Sequence, residues 1–459
     1  MELNVVRSND EEHEENEATN SDEQSSVFRT AVNIAKICIG AGILALPYAF
    51  KSGGIAFSSA GVFIFAGWNY VTSDWLLQCK AFLGMPANER RGASSFATIA
   101  RQGLGPWGEV LVDALIASVF FGVMSSYLIA VGQLAAQTEL LGSHVRTLIW
   151  VCALAMTPFI CVKNLTGLAC TSAISLMVIF LGMACIINYG ASLPHYEAEA
   201  SASATVTEDG AVEASASASV GESWAGMATF TGIVTFSYGI QLMVLPLQES
   251  MKKPSKIRWA VAAGLFTAAS VYWMVGLATV WVFQNTGVDL DQNVMLNLPE
   301  GKSLTMFVGV SVAVCITFSY PLSLFPLTDM MWHFFQTLFH VRSSYQELAG
   351  GLSDLQQSQG PKGFCRIVLM VILIFLSAAC AAFIPFLGLV VSLLGNFSIT
   401  LLGFVIPAVC YLRIGGDKIS QSQKIFTIVL FVIGLFNCIF CTTSTIQSIV
   451  KQLKDLESS

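Results

Sequence analysis

A single lysine stands inside an apolar stretch, TAVNIAKICIGAGILALPYAF, running from Thr30 to Phe50. An ammonium at the centre of a membrane helix costs roughly 2.5–3.5 kcal/mol on insertion scales, so Lys36 must face protein or water and act there. Shortly after it come Gly40-Ala41-Gly42 and then Pro47. Glycines and prolines let a buried helix unwind where a cavity or neighbouring helices take over the freed backbone groups. Unwound backbone offers carbonyls to an ammonium or a cation, and amides to a carboxylate. That is chemistry for holding a small zwitterion or an ion. A second weak point, Phe236-Ser237-Tyr238-Gly239, sits about twelve residues into another apolar stretch.

The elements that must position these residues are membrane spans. The chain has 459 residues, of which 54% are hydrophobic and 12% charged, with a mean hydropathy of +0.66. That composition is a polytopic membrane protein embedded in a lipid bilayer. About 20 mainly apolar residues make a span. Eleven stretches qualify: 31–51, 55–78, 107–136, 145–162, 166–190, 225–250, 258–283, 303–338, 364–384, 386–412 and 425–450. With the N-terminus in the cytosol, seventeen Lys and Arg fall on the inner side and five on the outer, as the positive-inside bias requires. This predicts an all-α fold with the C-terminus outside or in a lumen. Breaks at matching places in spans 1 and 6 predict two inverted halves of five spans, with span 11 appended and a binding site at the midplane. Taken alone, the glycines of span 6 read equally as close-packing positions.

The net charge of −7 misleads, because residues 1–27 hold nine acids and one arginine. This segment is expected to be a disordered cytosolic tail. It lacks the apolar core of a cleaved signal, so span 1 is expected to direct insertion. The transporting domain is expected over 28–450, with a short outer tail at 451–459. The connection 191–224 has no Lys or Arg, six acids and the run EASASAT…EASASAS, which predicts a mobile outer loop. Its Asp-Gly step admits a small hairpin. The polar connection 342–363 is expected inside. The twelve cysteines sit in or beside apolar spans and read as small buried side chains rather than disulfides.

Four blocks of the sequence resemble the amino acid/auxin permease family. The first-span pattern is met by Asn33, Lys36, Gly40, Gly42, Leu44, Leu46, Pro47, Tyr48, Ala49, Phe50, Lys51 and Gly54. The others are GIQLMVLPLQESMKKPSKI at 239–257, FSYPLSLFPLTD at 318–329, and the long block at 381–412. Span 7 departs from the pattern in ending VWVFQNTG, and the outer-loop cysteine pair of the sodium-coupled animal branch is missing. The resemblance implies a eukaryotic amino acid transporter of the leucine-transporter type, with substrate held between spans 1, 3, 6 and 8.

On that reading Ile39, Gly40, Ala41 and Gly42 meet the substrate from span 1. Phe236, Ser237, Tyr238 and Gly239 meet it from span 6. Tyr127 in span 3 reads as a lid or hydroxyl partner, or as ordinary packing. No carboxylate lies in the central or outer part of any span, so a neutral amino acid is expected rather than a cationic one. The resemblance places Lys36 where sodium-coupled relatives carry an asparagine, with Ser319 at a hydroxyl position of the same ion site and Thr317 nearby. A lysine there stands in for sodium. Either it titrates during the cycle, with protons as the coupling ion, or it is a fixed brace between spans 1 and 8. Asp113 is a candidate proton-pathway group. Glu249 and Asp329, at the inner ends of spans 6 and 8, read first as solvated or ion-paired caps. His144 and His195 lie in outer loops, and His333 and His340 at the inner end of span 8.

No enzyme signature, cofactor motif or nucleic-acid patch is present, and no C-x-x-C pair suggests a metal site. A channel is disfavoured, since no charged or filter-like ring is found. The reading from a different class is a sensor that signals through a cytosolic partner of the acidic tail. Deleting residues 1–27 separates the two: a transporter core keeps its amino acid uptake, whereas a sensor loses its partner.

Overall fold

The computed structural model describes residues 25–40, 42–85, 94–137, 144–158, 165–194, 224–284, 286–299, 302–338 and 361–458. Regular structure among them is helical, apart from an isolated bridge between Ser25 and Met251. In chain order the helices are α1 Val27–Cys38, α2 Gly42–Gly53, α3 Ile55–Phe82, α4 Ser94–Leu104, α5 Pro106–Gln137, α6 Val145–Met156 and α7 Leu165–Ser192. Then come α8 Trp224–Ser237, α9 Gln241–Glu249, α10 Ile257–Phe283, α11 Ser303–Leu338 and α12 Pro361–Phe383. The last three are α13 Leu387–Leu394, α14 Ile406–Gly415 and α15 Gln421–Ser458. Lipid offers backbone groups no partners, so apolar runs of this length must satisfy their own hydrogen bonds as helices.

Eight of these are long and apolar enough to cross a membrane, counting α8–α9 and α13–α14 each as one crossing. The pair α1–α2, bent by 63°, makes a ninth. The described residues therefore carry eight or nine such crossings rather than the expected eleven. The shorter apolar helices α6 and α7 occupy the places of the two remaining spans. Residues 159–164 between them lie outside the described residues, as do most of the acidic tail and nearly all of the 191–224 and 342–363 connections. Helix α1 starts at Val27, before the expected 31, because the Ser26 hydroxyl caps it by accepting from Arg29 N at 3.2 Å. The last helix runs through Ser458, past the expected end at 450. The described cysteines are unpaired.

Small residues set the closest approaches, as expected where helices associate in lipid by packing rather than by water exclusion. A Cβ on Gly395 would lie 1.8 Å from the Gly232 carbonyl oxygen, so α8 and the segment after α13 touch backbone to backbone. That segment is wound as π-helix at Gly395–Ile399 and again at Leu401–Val405. Asn396 spans the junction, donating to Ala228 O at 3.0 Å and Thr445 Oγ1 at 3.0 Å, which ties α15 to α8. Along the α1–α10 seam a Cβ on Gly264 would lie 2.6 Å from Ile34.

Among the described residues the ion pairs lie toward the two ends. On the face that carries Ser25, Lys80 at the end of α3 meets Glu249 at the end of α9 at 2.8 Å, with side chains only 4% and 5% exposed. Arg258 pairs with Asp74, and Arg366 with Asp329. The Ser25–Met251 bridge lies on the same face, with Ser25 N donating to Ser250 O at 2.8 Å and Lys252 N to Ser25 O at 3.1 Å. On the opposite face Lys51 meets Asp289 at 2.6 Å, with Asp289 fully open to solvent. The buried pair is the one whose disruption matters: removing one partner strands the other charge. Lys80→Met should therefore destabilise the protein by about 3–5 kcal/mol, while Lys80→Met with Glu249→Leu recovers most of the loss. Thermal unfolding of the purified variants measures both.

Candidate substrate site at two helix breaks

The helix begun at Val27 stops at Cys38, and Gly42 starts the next one. Ile39 is buried, Gly40 half-buried, and Ala41 lies outside the described residues. The helix begun at Trp224 stops at Ser237 and resumes at Gln241, leaving Tyr238, Gly239 and Ile240 as the break. The two breaks face each other. A Cβ on Gly42 would lie 2.1 Å from Ser237 Oγ and 3.6 Å from the Phe236 ring. Only a residue without a side chain lets the two backbones come this close.

At this junction carbonyl ends meet. The Tyr272 hydroxyl, from the middle of α10, donates to Cys38 O and lies 3.3 Å from Ser237 O. These are the last carbonyls of α1 and α8, the ends that carry partial negative charge. Tyr272 is fully buried, and its ring lies 5.2 Å from that of Tyr238. Tyr238 is fully buried too, and its hydroxyl has no hydrogen-bond partner. Thr235 Oγ1, one residue before Phe236, is likewise buried and unpartnered. Donors and acceptors left unsatisfied at a helix break are costly in a dry interior, and are where a polar ligand gains most. Gly239 backs onto Ile399 in the π-helical segment.

The other expected residues are distributed around this centre. Tyr127 is half-buried on α5, and its hydroxyl has no partner among the described residues. Lys36 is half-buried on α1, and no described residue pairs with its ammonium. The hydroxyls of Thr317 and Ser319 bond back to Ala313 O at 2.8 Å and Cys315 O at 2.9 Å on their own helix. Helix α1 packs along α10 and makes no comparable contact with α5 or α11. The expected brace from Lys36 to span 8 is therefore not made in this arrangement. Asp113 stands on the exposed face of α5, away from the breaks. Glu249 and Asp329 are ion-paired, as first read. His144 directly precedes α6, and the other three histidines of the sequence reading fall on residues or side chains outside those described.

Sequence reasoning passed over two groups. Tyr272 is the first. Its one signal was a lone phenol in the run ASVYWMVG. The second is a buried amide cluster, in which Gln241 Nε2 donates to Asn69 Oδ1 at 2.6 Å and to Thr72 Oγ1 at 3.1 Å. This holds the start of α9 against α3.

The Lys51 face above the breaks is sealed. The turn Val294–Asn297 is buried, and Gln137 donates to the carbonyls of Met295, Leu296 and Leu298 at 3.1–3.4 Å. Asn293 donates to Gln133 Oε1 at 3.2 Å, and Gln292 accepts from Leu389 N at 3.3 Å. In the same loop burial, and then the neighbouring Asp289 charge, hold the Asp291 carboxyl above its ordinary value, against the pull of Lys51.

The family model for "Transmembrane amino acid transporter protein" matches residues 23–447. Amino acid transporter ANT1 of Arabidopsis thaliana is 22% identical over 436 residues, 94% of each chain. Vacuolar amino acid transporter 5 of Schizosaccharomyces pombe is 24% identical over 84% of each. Vacuolar amino acid transporter 3 of the same yeast is 24% identical over 90% of this chain and 57% of its own length. Among solved structures, a manganese transporter of Eremococcus coleocola is similar at 11% identity and a TM-score of 0.47, over 93% of this chain and 87% of that one.

Gly42→Val should drive a side chain into Ser237 and push the breaks apart. The expected result is amino acid binding weaker by about tenfold or more, roughly 1.4 kcal/mol, read by substrate-induced thermal shift. Unchanged affinity would place the substrate elsewhere.

Proposed function

Since the chain belongs to the transmembrane amino acid transporter family, we propose that it carries neutral amino acids across a membrane by alternating access, linked to protons or unassisted, and without sodium. The observation that carries this reading is the meeting of two helix breaks at Gly42 and Ser237. Helix ends there present carbonyls for an ammonium, and the half-helix beginning at Gln241 presents amides for a carboxylate. The described carboxylates lie at span ends, in connections, or on the outward face of α5, so none is placed to prefer a cationic side chain. Substrate would contact Ile39, Gly40, Ala41 and Gly42 on one side and Phe236 to Gly239 on the other, with Tyr127 closing over it.

Lys36 supports independence from sodium. A fixed or titrating ammonium in the last turn of α1, beside the break, supplies the charge that a metal ion would bring, and repels one. No described residue pairs with it, which suits a group that changes partner or proton between states. We assign the Ser25 face to the cytosol, which makes the sealed Lys51 face outer or lumenal and this arrangement inward-facing. The eleven-span, two-halves architecture belongs to the same proposal, as does a place in a vacuolar, lysosomal or plasma membrane.

Uptake of labelled amino acids into proteoliposomes, under an imposed pH gradient, a sodium gradient or neither, tests the whole reading. Uptake is expected to follow the pH gradient, or to equilibrate without one, and to ignore sodium. Lys36→Ala should abolish proton-driven accumulation while leaving the protein folded. Sodium-driven uptake by the wild type would overturn the assignment of Lys36, and no uptake of any amino acid would overturn transport itself.

A further inference from the structure

The hydroxyl of Tyr272 lies where two half-helices end. Carbonyls at such ends are the groups with which broken membrane helices hold cations. In this chain one oxygen, Cys38 O, accepts from Tyr272 and from Gly40 N at 2.7 Å. The other, Ser237 O, lies 3.3 Å from the same hydroxyl. Both oxygens and the phenol are buried with the ring of Tyr272, which belongs to neither broken helix. The phenol therefore bridges the breaks from a third element, α10, and faces both carbonyls with one proton.

We infer that Tyr272 is a positioning residue whose hydroxyl proton occupies, between the carbonyls of Cys38 and Ser237, the place a small alkali cation would otherwise take. The breaks are thereby held at substrate-binding distance without a metal ion. The inference rests on the proposed transport function and deepens it, since it concerns how the breaks of that same site are held. An ether-like contact or a methyl could not replace it, since both oxygens need a positive edge. A phenylalanine keeps the ring packed against Tyr238 but leaves two buried carbonyls facing a hole of about one hydroxyl. Such a hole, lined by helix-end oxygens, attracts sodium or lithium.

The test is Tyr272→Phe in proteoliposomes, with sodium, lithium or choline as the only added cation and Lys36 left in place. In choline the amino acid concentration for half-maximal uptake is expected to rise about tenfold, the effect of losing one buried hydrogen bond. Sodium or lithium should restore much of the loss, although the wild type responds to neither. Half-maximal uptake unchanged in choline would overturn the inference. So would a loss that no cation repairs, because the hydroxyl would then be ordinary packing. If the variant does not fold, the wild type decides: a saturable sodium-induced rise in its thermal midpoint would mean the carbonyls are not already filled, whereas none supports the assignment. Failure of the underlying transport reading looks different, since the wild type then takes up no amino acid in any medium.

Discussion

Interrupting a helix inside a membrane frees carbonyl oxygens that neither water nor lipid can satisfy, and the centre of this protein is arranged around that demand. The last carbonyls of α1 and α8 converge on one phenol. To bring them there, α10 must lie against both broken helices, and Gly264 lets it close on Ile34. Gly42 must lack a side chain so that α2 can start directly beneath Ser237. Gly232 and Gly395 must lack one so that α8 can lean on the π-wound segment behind it. The glycine pattern, the tight seams and the widened helix turns all follow from keeping two backbone ends in register.

Charge follows a zoning rule. Acids and bases are paired at the ends, buried at Lys80–Glu249 and more open elsewhere. Between the ends the polar groups are hydroxyls and amides, bonded to backbone or to each other. Lys36 is the exception. A full charge in a zone of dipoles dominates the local field, and its half-exposed position lets it keep some hydration while α1 stands off from α11.

The breaks were readable because their causes are local. Glycine at Gly40 and Gly42, and the tyrosine-glycine step at Tyr238-Gly239, interrupt apolar runs where they stand. The family match over residues 23–447 agrees with motifs that are themselves short and contiguous. What escaped depends on distant partners. Tyr272 is an ordinary aromatic until Cys38 and Ser237 are brought to it from 234 and 35 residues away. Asp113 reads as a candidate proton-pathway group because the inner part of its apolar span offers little else to satisfy it, and its helix leaves it exposed. Apolar sequence marks lipid and core alike, and only packing tells them apart. The end of α15 was placed too early for a related reason: Lys451 and Lys454 look like a boundary, but a helix leaving the bilayer need not unwind.

The plug over the Lys51 face is fastened by carboxamides. Gln133, Gln137, Gln292 and Asn293 carry its hydrogen bonds to backbone and to each other. Carboxamides neither ionise across the biological range nor attract counterions. The Lys51–Asp289 contact on that face is solvent-exposed and contributes little once salt screens it. The carboxamide hydrogen bonds of the plug are thus little affected by salt. Acidification on that side leaves the carboxamide hydrogen bonds intact, while Asp291 in the same loop takes up its proton early because burial holds its carboxyl above the ordinary value.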